Sequence, residues 1–409
     1  MSAENQFDLE DQDRWRPEKH SVFRTFFGYF VPLFLVLSLF MLGLLGGDWL
    51  RTANLINANE RLQVDIVKNT LTRDLENIGP DMRTLVQSRA FARFLDNEND
   101  ETKAEFEHTF SLFADHKRLY QQVRFIDTEG WERVRVDYRN GNARVVSDAQ
   151  LQNKSVRYYF KSAIALGFGD LFVSPIDLNI EHEKVELPYK PMMRFATPMF
   201  DRKGVKKGIL ILNYLADRML NRFDQVIVGS WGHIEFLNQD GFWVRSHDRD
   251  REWGVMLGRD QRFSGSHEDV WETIVAQENG RIQDSSGLYN FTTLSPLSTI
   301  RESLRLAPEF EAVVHHSQDR VWKIVSDVPM EILVNRLIDN LVHVSGPVWL
   351  LLVIALLAGS WRLAVSKVAR RRLQIEAALH AKVFSWVTEG AMIPDADARI
   401  LDVNAGFST

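Results

Sequence analysis

Two long runs without charge interrupt a chain that elsewhere mixes apolar and polar residues at short periods. From Phe26 to Gly47 there is no charged residue, and at 1.5 Å per residue such a helix rises about 33 Å, enough to cross a hydrocarbon core. Leu341 to Trp361 is likewise uncharged apart from the titratable His343, with Pro347 near its outer end, where a missing backbone bond is tolerated. The pattern predicts two membrane spans rather than two buried core helices. A cleaved leader would have a shorter apolar region followed by a small-x-small site. Gly46-Gly47-Asp48-Trp49-Leu50 offers no such site, so the first run is expected to persist. Arg14, Arg16, Lys19 and Arg24 precede the first span, and Arg362, Lys367 and Arg370-Arg371-Arg372 follow the second, which predicts both termini on the cytoplasmic side. The arginine cluster is also placed to meet anionic lipid headgroups. The expected division is a cytoplasmic arm (1–25), a span (26–47), an exported region (48–340), a second span (341–361), a signalling helix (362–382) and a tail (383–409).

Within the exported region the periods change. Leu71, Leu75, Ile78, Met82 and Leu85 recur at three and four, predicting a stalk helix over 48–95 that Gly79-Pro80 kinks or divides. Gln122–Ile126, the turn at Asp127–Gly130, the alternating Glu132–Val136, the Asn140-Gly141 turn and Arg144–Val146 predict antiparallel strands. A short helix is expected over 158–165 and a brief strand over 171–174. A long hairpin should follow, 192–200 with 208–214, whose Ile209-Leu210-Ile211-Leu212 reads as a buried central strand. Helix is expected again over 215–223. A shorter version of the scheme then begins: strands 234–237 and 242–244, helix 269–277, strands 287–293 and 321–326, and a helix 330–341 entering the second span. The fold class is α+β, a long stalk helix plus two antiparallel-sheet modules, distal (about 100–225) and proximal (about 226–328), between two membrane helices.

Composition removes several classes of function. There is no cysteine, so disulfide frameworks, thiolate zinc sites, iron–sulfur clusters and cysteine nucleophiles are excluded. A net charge of −6 argues against bulk nucleic-acid binding. No H-E-x-x-H, G-x-S-x-G, phosphate-loop or dinucleotide glycine motif occurs. His315-His316 are adjacent and diverge too far for one metal, while His182 and His267 have acidic neighbours but no chelating partner. Neither a metal nor a cofactor is expected.

The region 50–340 resembles the double-Cache sensor domains of bacterial receptors, and within them the LuxQ-like subgroup. The resemblance rests on Leu151–Phe160, Phe172–Asn179, Arg194-Phe195-Ala196-Thr197-Pro198 and Lys207–Asn213. The tail resembles the opening of a cytoplasmic PAS domain at Phe384, Glu389-Gly390, Ile393, Asp395, Ile400, Asn404 and Phe407. Pro394 departs from that pattern by deleting a strand donor, and Ala398 by replacing the turn glycine. Only about 27 residues of a fold needing roughly 100 are present. Any cyclic-di-GMP or histidine kinase output is therefore expected beyond residue 409, and the chain itself is not expected to be an enzyme.

In amino-acid-binding relatives an Arg and an aromatic pair hold a carboxylate while an Asp on a later strand takes the ammonium. The resemblance implies ligand contacts at Arg157, Tyr159, Phe160 and Phe172, with Asn213 at the Asp position and Asp177 as an alternative anion. A guanidinium forks onto a carboxylate and aromatic walls exclude water. Asn is neutral and cannot offset a buried ammonium, so the expected ligand is a carboxylate or related metabolite rather than an amino acid by default. Core packing of Tyr158-Tyr159-Phe160 and a structural ion pair at Arg157 are the plainer readings. The expected protein is a homodimeric inner-membrane receptor sensing a small molecule in the periplasm. The alternatives are a sensor that reads a periplasmic binding protein, or a membrane-anchored periplasmic enzyme.

Overall fold

The computed structural model describes residues 19–181, 184–304, 320–386, 392–394 and 399–403. The expectations at Arg14, Arg16, His182, His315-His316, Glu389-Gly390, Asp395, Ala398, Asn404 and Phe407 lie outside the described residues. The chain divides into two units, one of 1–52 with 335–409, the other of 53–334.

In the larger unit the long first helix, α1 (Lys19–Glu76), buries Ile56, Val64, Val67, Leu71 and Leu75 along one stripe. The spacing of three and four puts them on one face. Glu60 falls on the same stripe, fully buried, and accepts from Ser230 Oγ (2.5 Å), Ser326 Oγ (2.6 Å) and the Trp231 amide (2.7 Å). Those donors satisfy a carboxylate that burial would otherwise penalise heavily. The helix breaks at Asn77, just ahead of the expected Gly79-Pro80, and α2 (Ile78–Val86) begins. Pro80 thus sits in a first turn, where its missing N–H costs nothing. Gly79 is required by a close approach: a Cβ there would run into Ser303 and Leu304. Next come α3 (Arg89–Asp96) and α4 (Asp100–Lys117). The sequence reading did not anticipate α4, yet Asn99 and Thr102 form a capping box at its start. Its Phe106 stacks on Phe91 of α3 at 4.3 Å and packs edge-on against Phe110 at 4.1 Å. Buried Asp81 of α2 accepts from Tyr120 Oη and pairs with Lys117, both at 2.6 Å, tying helices to sheet.

The first sheet contains β1 (Tyr120–Asp127), β2 (Glu132–Arg139), β3 (Asn142–Val145), β4 (Phe172–Val173) and β5 (Asp177–Leu178). A small separate pair, β6 (Ile180–Glu181) and β7 (Lys184–Val185), precedes its last two strands, β8 (Pro191–Phe200) and β9 (Lys206–Leu215). The order is β3-β2-β1-β9-β8-β4, with β5 on β8. Helix α5 (Tyr158–Ile164) follows β3 in the chain, and α6 (Asp217–Val226) follows β9. The second sheet contains β10 (His233–Leu237), β11 (Trp243–Arg245), β12 (Asn279–Gln283), β13 (Gly287–Leu294) and β14 (Trp322–Pro329), in the order β11-β10-β14-β13-β12. Helices α7 (Glu268–Ala276) and α8 (Pro296–Leu304) lie between its strands in sequence. Leaving aside β3 and β5, each sheet runs second-first-fifth-fourth-third, so the expected internal repetition is real. Both β12 and α8 are additions to the sequence reading. Val123, Phe125, Leu210, Leu212 and Phe195 of the first sheet share one core with Phe236 and Ile324 of the second and with the α1 stripe.

In the smaller unit α9 (Met330–Asn340) passes through a π turn, Leu341–Ser345, into α10 (Gly346–Trp386). Pro347 sits two residues past the π turn, inside a helical run unbroken from Met330 to Trp386, so its missing donor falls where the regular hydrogen-bond ladder is already interrupted. Both α1 and α10 contain stretches long and apolar enough to cross a membrane. They run antiparallel, with Phe34 against Trp349 (5.9 Å), Phe26 against Trp361 (5.9 Å) and Lys367 Nζ donating to Tyr29 Oη (3.0 Å). Phe384 is still on α10. Ile393 and Ile400 fall on a short antiparallel pair, β15 (Met392–Pro394) and β16 (Ile400–Val403), and the register slips at Pro394.

Candidate ligand site on the first sheet

Alternation along the strands gives the first sheet two unlike faces. Val123, Phe125, Leu210, Leu212, Met193 and Phe195 fill the shared core. The intervening Gln122, Arg124, Asn213 and Arg194 point to the other face, under α5. There Ile126, Phe160, Ala163, Phe172, Ala196, Ile209 and Ile211 make a small apolar floor, with Tyr159 at its edge. A β-bulge completes the set. Phe125 pairs with Val134 but Ile126 with Glu132, so Arg133 is the extra residue and Glu132 turns onto the face of Arg124. Bulges re-aim side chains in this way, and often beside functional sites.

The polar groups are almost entirely withdrawn from water, Arg124 at 3% exposure and Arg194 at 6%. Arg124 donates through Nη1 to Glu132 Oε1 (3.1 Å) and Tyr159 Oη (3.4 Å), and through Nη2 to Asn213 Oδ1 (2.7 Å). Asn213 Nδ2 donates in turn to Gln122 Oε1 (2.9 Å). Arg194 Nη1 donates to Asp177 Oδ1 (2.5 Å), and Tyr158 Oη donates to Asp177 Oδ2 (2.6 Å). The ring of Tyr159 is flanked by both guanidiniums, 5.6 Å from Arg124 and 5.2 Å from Arg194. The Nε atoms of Arg124 and Arg194 are buried without a partner among the described residues.

Electrostatics follow from that arrangement. Burial pushes the Tyr159 phenol up, but Arg124, with Lys154 and Arg194, more than offsets this and holds it below its ordinary value. Burial and the neighbouring Asp177 push Tyr158 up instead. Lys154 is lowered, first by its own burial. The face is rich in donors. Both of its deeply buried carboxylates, Glu132 and Asp177, are already engaged by arginines.

Of the residues expected to contact a ligand, Tyr159, Asp177 and Asn213 meet in this polar cluster. Phe160 and Phe172 lie in the apolar floor beside it. Arg157 stands apart, half-buried at the start of α5, its Nη2 donating to the Ile180 carbonyl at 3.3 Å. Sequence reasoning missed Arg124, Arg194 and Glu132. For the two arginines a signal existed: each is the lone charge among apolar or amide neighbours in a strand that pairs on both sides. For Glu132 there was none, because the bulge that turns it inward leaves no mark in the alternation.

A family model described as "Bacterial histidine kinase, sensor domain" matches residues 59–304. No curated protein matches the chain. Among solved structures, a domain of a sensory box/GGDEF family protein from Vibrio parahaemolyticus is similar at 24% identity and a TM-score of 0.54, covering 68% of this chain and 99% of that one. The extracellular domain of the histidine kinase vpHK1S-Z8 gives 24% identity and a TM-score of 0.53, over 68% and 96% of the two chains. The sensory domain of the Campylobacter jejuni chemoreceptor Tlp3 with isoleucine bound gives 9% identity and a TM-score of 0.44, over 68% and 93%.

Proposed function

The chain belongs to the family of bacterial histidine kinase sensor domains, and from that premise we propose that it is a membrane-anchored receptor whose first sheet binds a small carboxylate. The observation that carries this reading is the pair of buried guanidiniums around Tyr159, each with an unsatisfied Nε. A buried donor left unmade costs roughly 1–3 kcal/mol, and a carboxylate is the acceptor that arginine forks match best. Within the polar cluster around Tyr159 neither carboxylate among the described residues is free for an ammonium group, because Asp177 is engaged by Arg194 and Tyr158 and Glu132 by Arg124. The ligand class is therefore acidic and poor in amines.

The repeated strand order supports a double-Cache architecture of the LuxQ-like kind, and the β15–β16 pair supports the start of a PAS domain. The two antiparallel apolar helices, with Arg24 ahead of one and Arg362, Lys367 and Arg370–Arg372 after the other, support membrane anchoring with a periplasmic sensor and cytoplasmic ends. Leu55, Leu62 and Ile66 form an exposed apolar stripe on α1, which favours paired stalks in a homodimer. In this reading α1, α9 and α10 pass the change in ligand occupancy to an output domain, and the chain itself catalyses nothing.

The test is a thermal-shift and calorimetric screen of the full chain in detergent against small mono- and dicarboxylates. Saturable stabilisation that weakens in Tyr159→Phe and disappears in Arg194→Gln is the expected result. A library that stabilises nothing, or a response unchanged in Tyr159→Phe and Arg194→Gln alike, overturns the reading and returns the sensor to a protein partner.

A further inference from the structure

A second polar recess lies elsewhere in the larger unit. A cleft of about 340 Å³ opens between α1 and the β12–β13 edge of the second sheet. That is within the size range of small-molecule sites and far larger than a single bridging water needs. Helix α1 contributes Asn57, Arg61, Asp65 and Lys68; the sheet contributes Arg281 and Asn290. Register explains the sheet side: Arg281 pairs with Asn290, so both side chains share the face turned toward α1.

Three features point to a ligand. The cleft holds three cations against one carboxylate. The Arg61 guanidinium makes no hydrogen bond or ion pair among the described residues, whereas Lys68 Nζ donates to Thr292 Oγ1 (3.2 Å) and Arg281 to Gln283 (2.7 Å). Asn290 is 3% exposed, yet among the described residues its Nδ2 has no hydrogen-bond partner, and neither does Asn57 Oδ1 across the cleft. Farther along, the same helix seals against the core with Val67, Leu71 and Leu75, so the polar lining here is a local departure from ordinary packing.

We propose that this cleft binds a small oxyanion, a carboxylate or a phosphate, held by Arg61 and Lys68 of α1 and by Arg281 and Asn290 of the second sheet. The site is separate from the first-sheet cluster and does not rest on it. Its occupant bridges α1 to the edge strand. It would therefore bias any state in which helix and strand separate, by as much as its affinities for the two states differ.

The experiment uses the full chain in detergent micelles at constant ionic strength, because exposed cations respond to salt as well as to specific anions. Potassium chloride is exchanged for inorganic phosphate in one arm and for succinate in the other, and thermal unfolding is followed. A saturable rise in Tm in either arm is expected, and the arm that responds identifies the anion. In Arg61→Gln and Arg281→Gln, both at exposed positions, the apparent affinity should fall about tenfold or more, consistent with loss of a charge-assisted contact, while Tm in chloride stays at the wild-type value. Absence of a response in both arms overturns the proposal. So does a response that both variants retain, which would locate the anion elsewhere, including the first-sheet cluster.

Discussion

The two sheets share a strand order but carry opposite chemistry on their open faces. On the first-strand/last-strand ladder of the first sheet, Gln122 pairs with Asn213, and Arg124 follows on the same face. On the corresponding ladder of the second sheet, His233 pairs with Asp327, and Glu235 follows. The first face therefore buries permanent positive charge among amides and tyrosines. The second holds acids and imidazoles: His247 Nδ1 lies 2.5 Å from Oε1 of buried Glu235, its ring stacks on His233 at 3.8 Å, and His267 Nε2 is 4.0 Å from Asp327. Burial raises both Glu235 and Asp327, and it lowers His233, with help from His247 and Arg251. A repeated fold fixes where side chains project; it does not fix what they do.

The largest effects should come from breaking the charge on each face. Arg124→Ala removes the Oε1 partner of buried Glu132, leaving it the Gln152 amide (3.1 Å) and Arg135 (3.7 Å), and should cost about 3 kcal/mol in chemical denaturation. Glu235→Gln replaces a carboxylate whose charged form burial already opposes, and should cost under about 1 kcal/mol. Equal losses in the two variants would erase the contrast. Between these extremes, Asn213→Leu removes the acceptor of Arg124 and the donor to Gln122, and a loss of about 1–3 kcal/mol is expected.

Acidification sharpens the contrast from the other side. The folded value of His233 is depressed, so the unfolded chain takes up a proton first as pH falls below 6.5. Stability present above that value is lost on the way down to the folded value. Glu235 and Asp327 act in the opposite sense. Their folded values are raised, so the stability they contribute is present below 4.5 and 3.8 and is lost as pH rises through the folded values. Tm followed downward from neutral pH should therefore decline just below 6.5, and in His233→Gln that decline should shrink. The groups facing this site include His247, His267, Arg251 and Asp284. A decline unchanged in His233→Gln would show that His233 is not its source.

Much of this was readable before the structure. The apolar runs, the stalk stripe at Leu71, Leu75 and Ile78 and the hairpin around Ile209–Leu212 each have a period and a length that admit one assignment. Of the missed elements, helix α4 carries a legible signal, Phe106, Phe110 and Phe113 at spacings of four and three behind the Asn99–Thr102 capping box. By contrast, β12 is an edge strand whose register comes from β13 rather than from its own sequence. At the candidate site, resemblance named Tyr159 on α5, which lies in the polar cluster, but the charges that organise that cluster come from β1, β2 and β8. Strand pairing brings those residues together from positions 124, 132 and 194, and no local pattern encodes it. Among the described residues the side chain of Arg157, the nearest arginine in sequence, hydrogen-bonds only to the Ile180 carbonyl. Arg157→Ala should accordingly shift stability by less than about 0.5 kcal/mol.

The most local readout belongs to Tyr159. Its folded pKa lies below 10.0 because Arg124, Lys154 and Arg194 favour the phenolate. The folded chain thus releases this proton before the unfolded chain does, and stability rises with pH between the folded value and 10.0. Tyr120, Tyr158, Tyr214 and Tyr289 are all raised, principally by burial, and so cannot supply an early phenolate signal. Phenolate absorbance of the folded chain should show Tyr159 ionising ahead of those four. Tyr159→Phe should abolish that step at a cost of about 1 kcal/mol or less, the worth of one hydrogen bond. In Lys154→Gln, which removes a contributing charge without touching the Arg124–Glu132 pair, the step should move upward. If the early step survives Tyr159→Phe, the two arginines do not enclose that ring, and the first face is not the positive counterpart of the second.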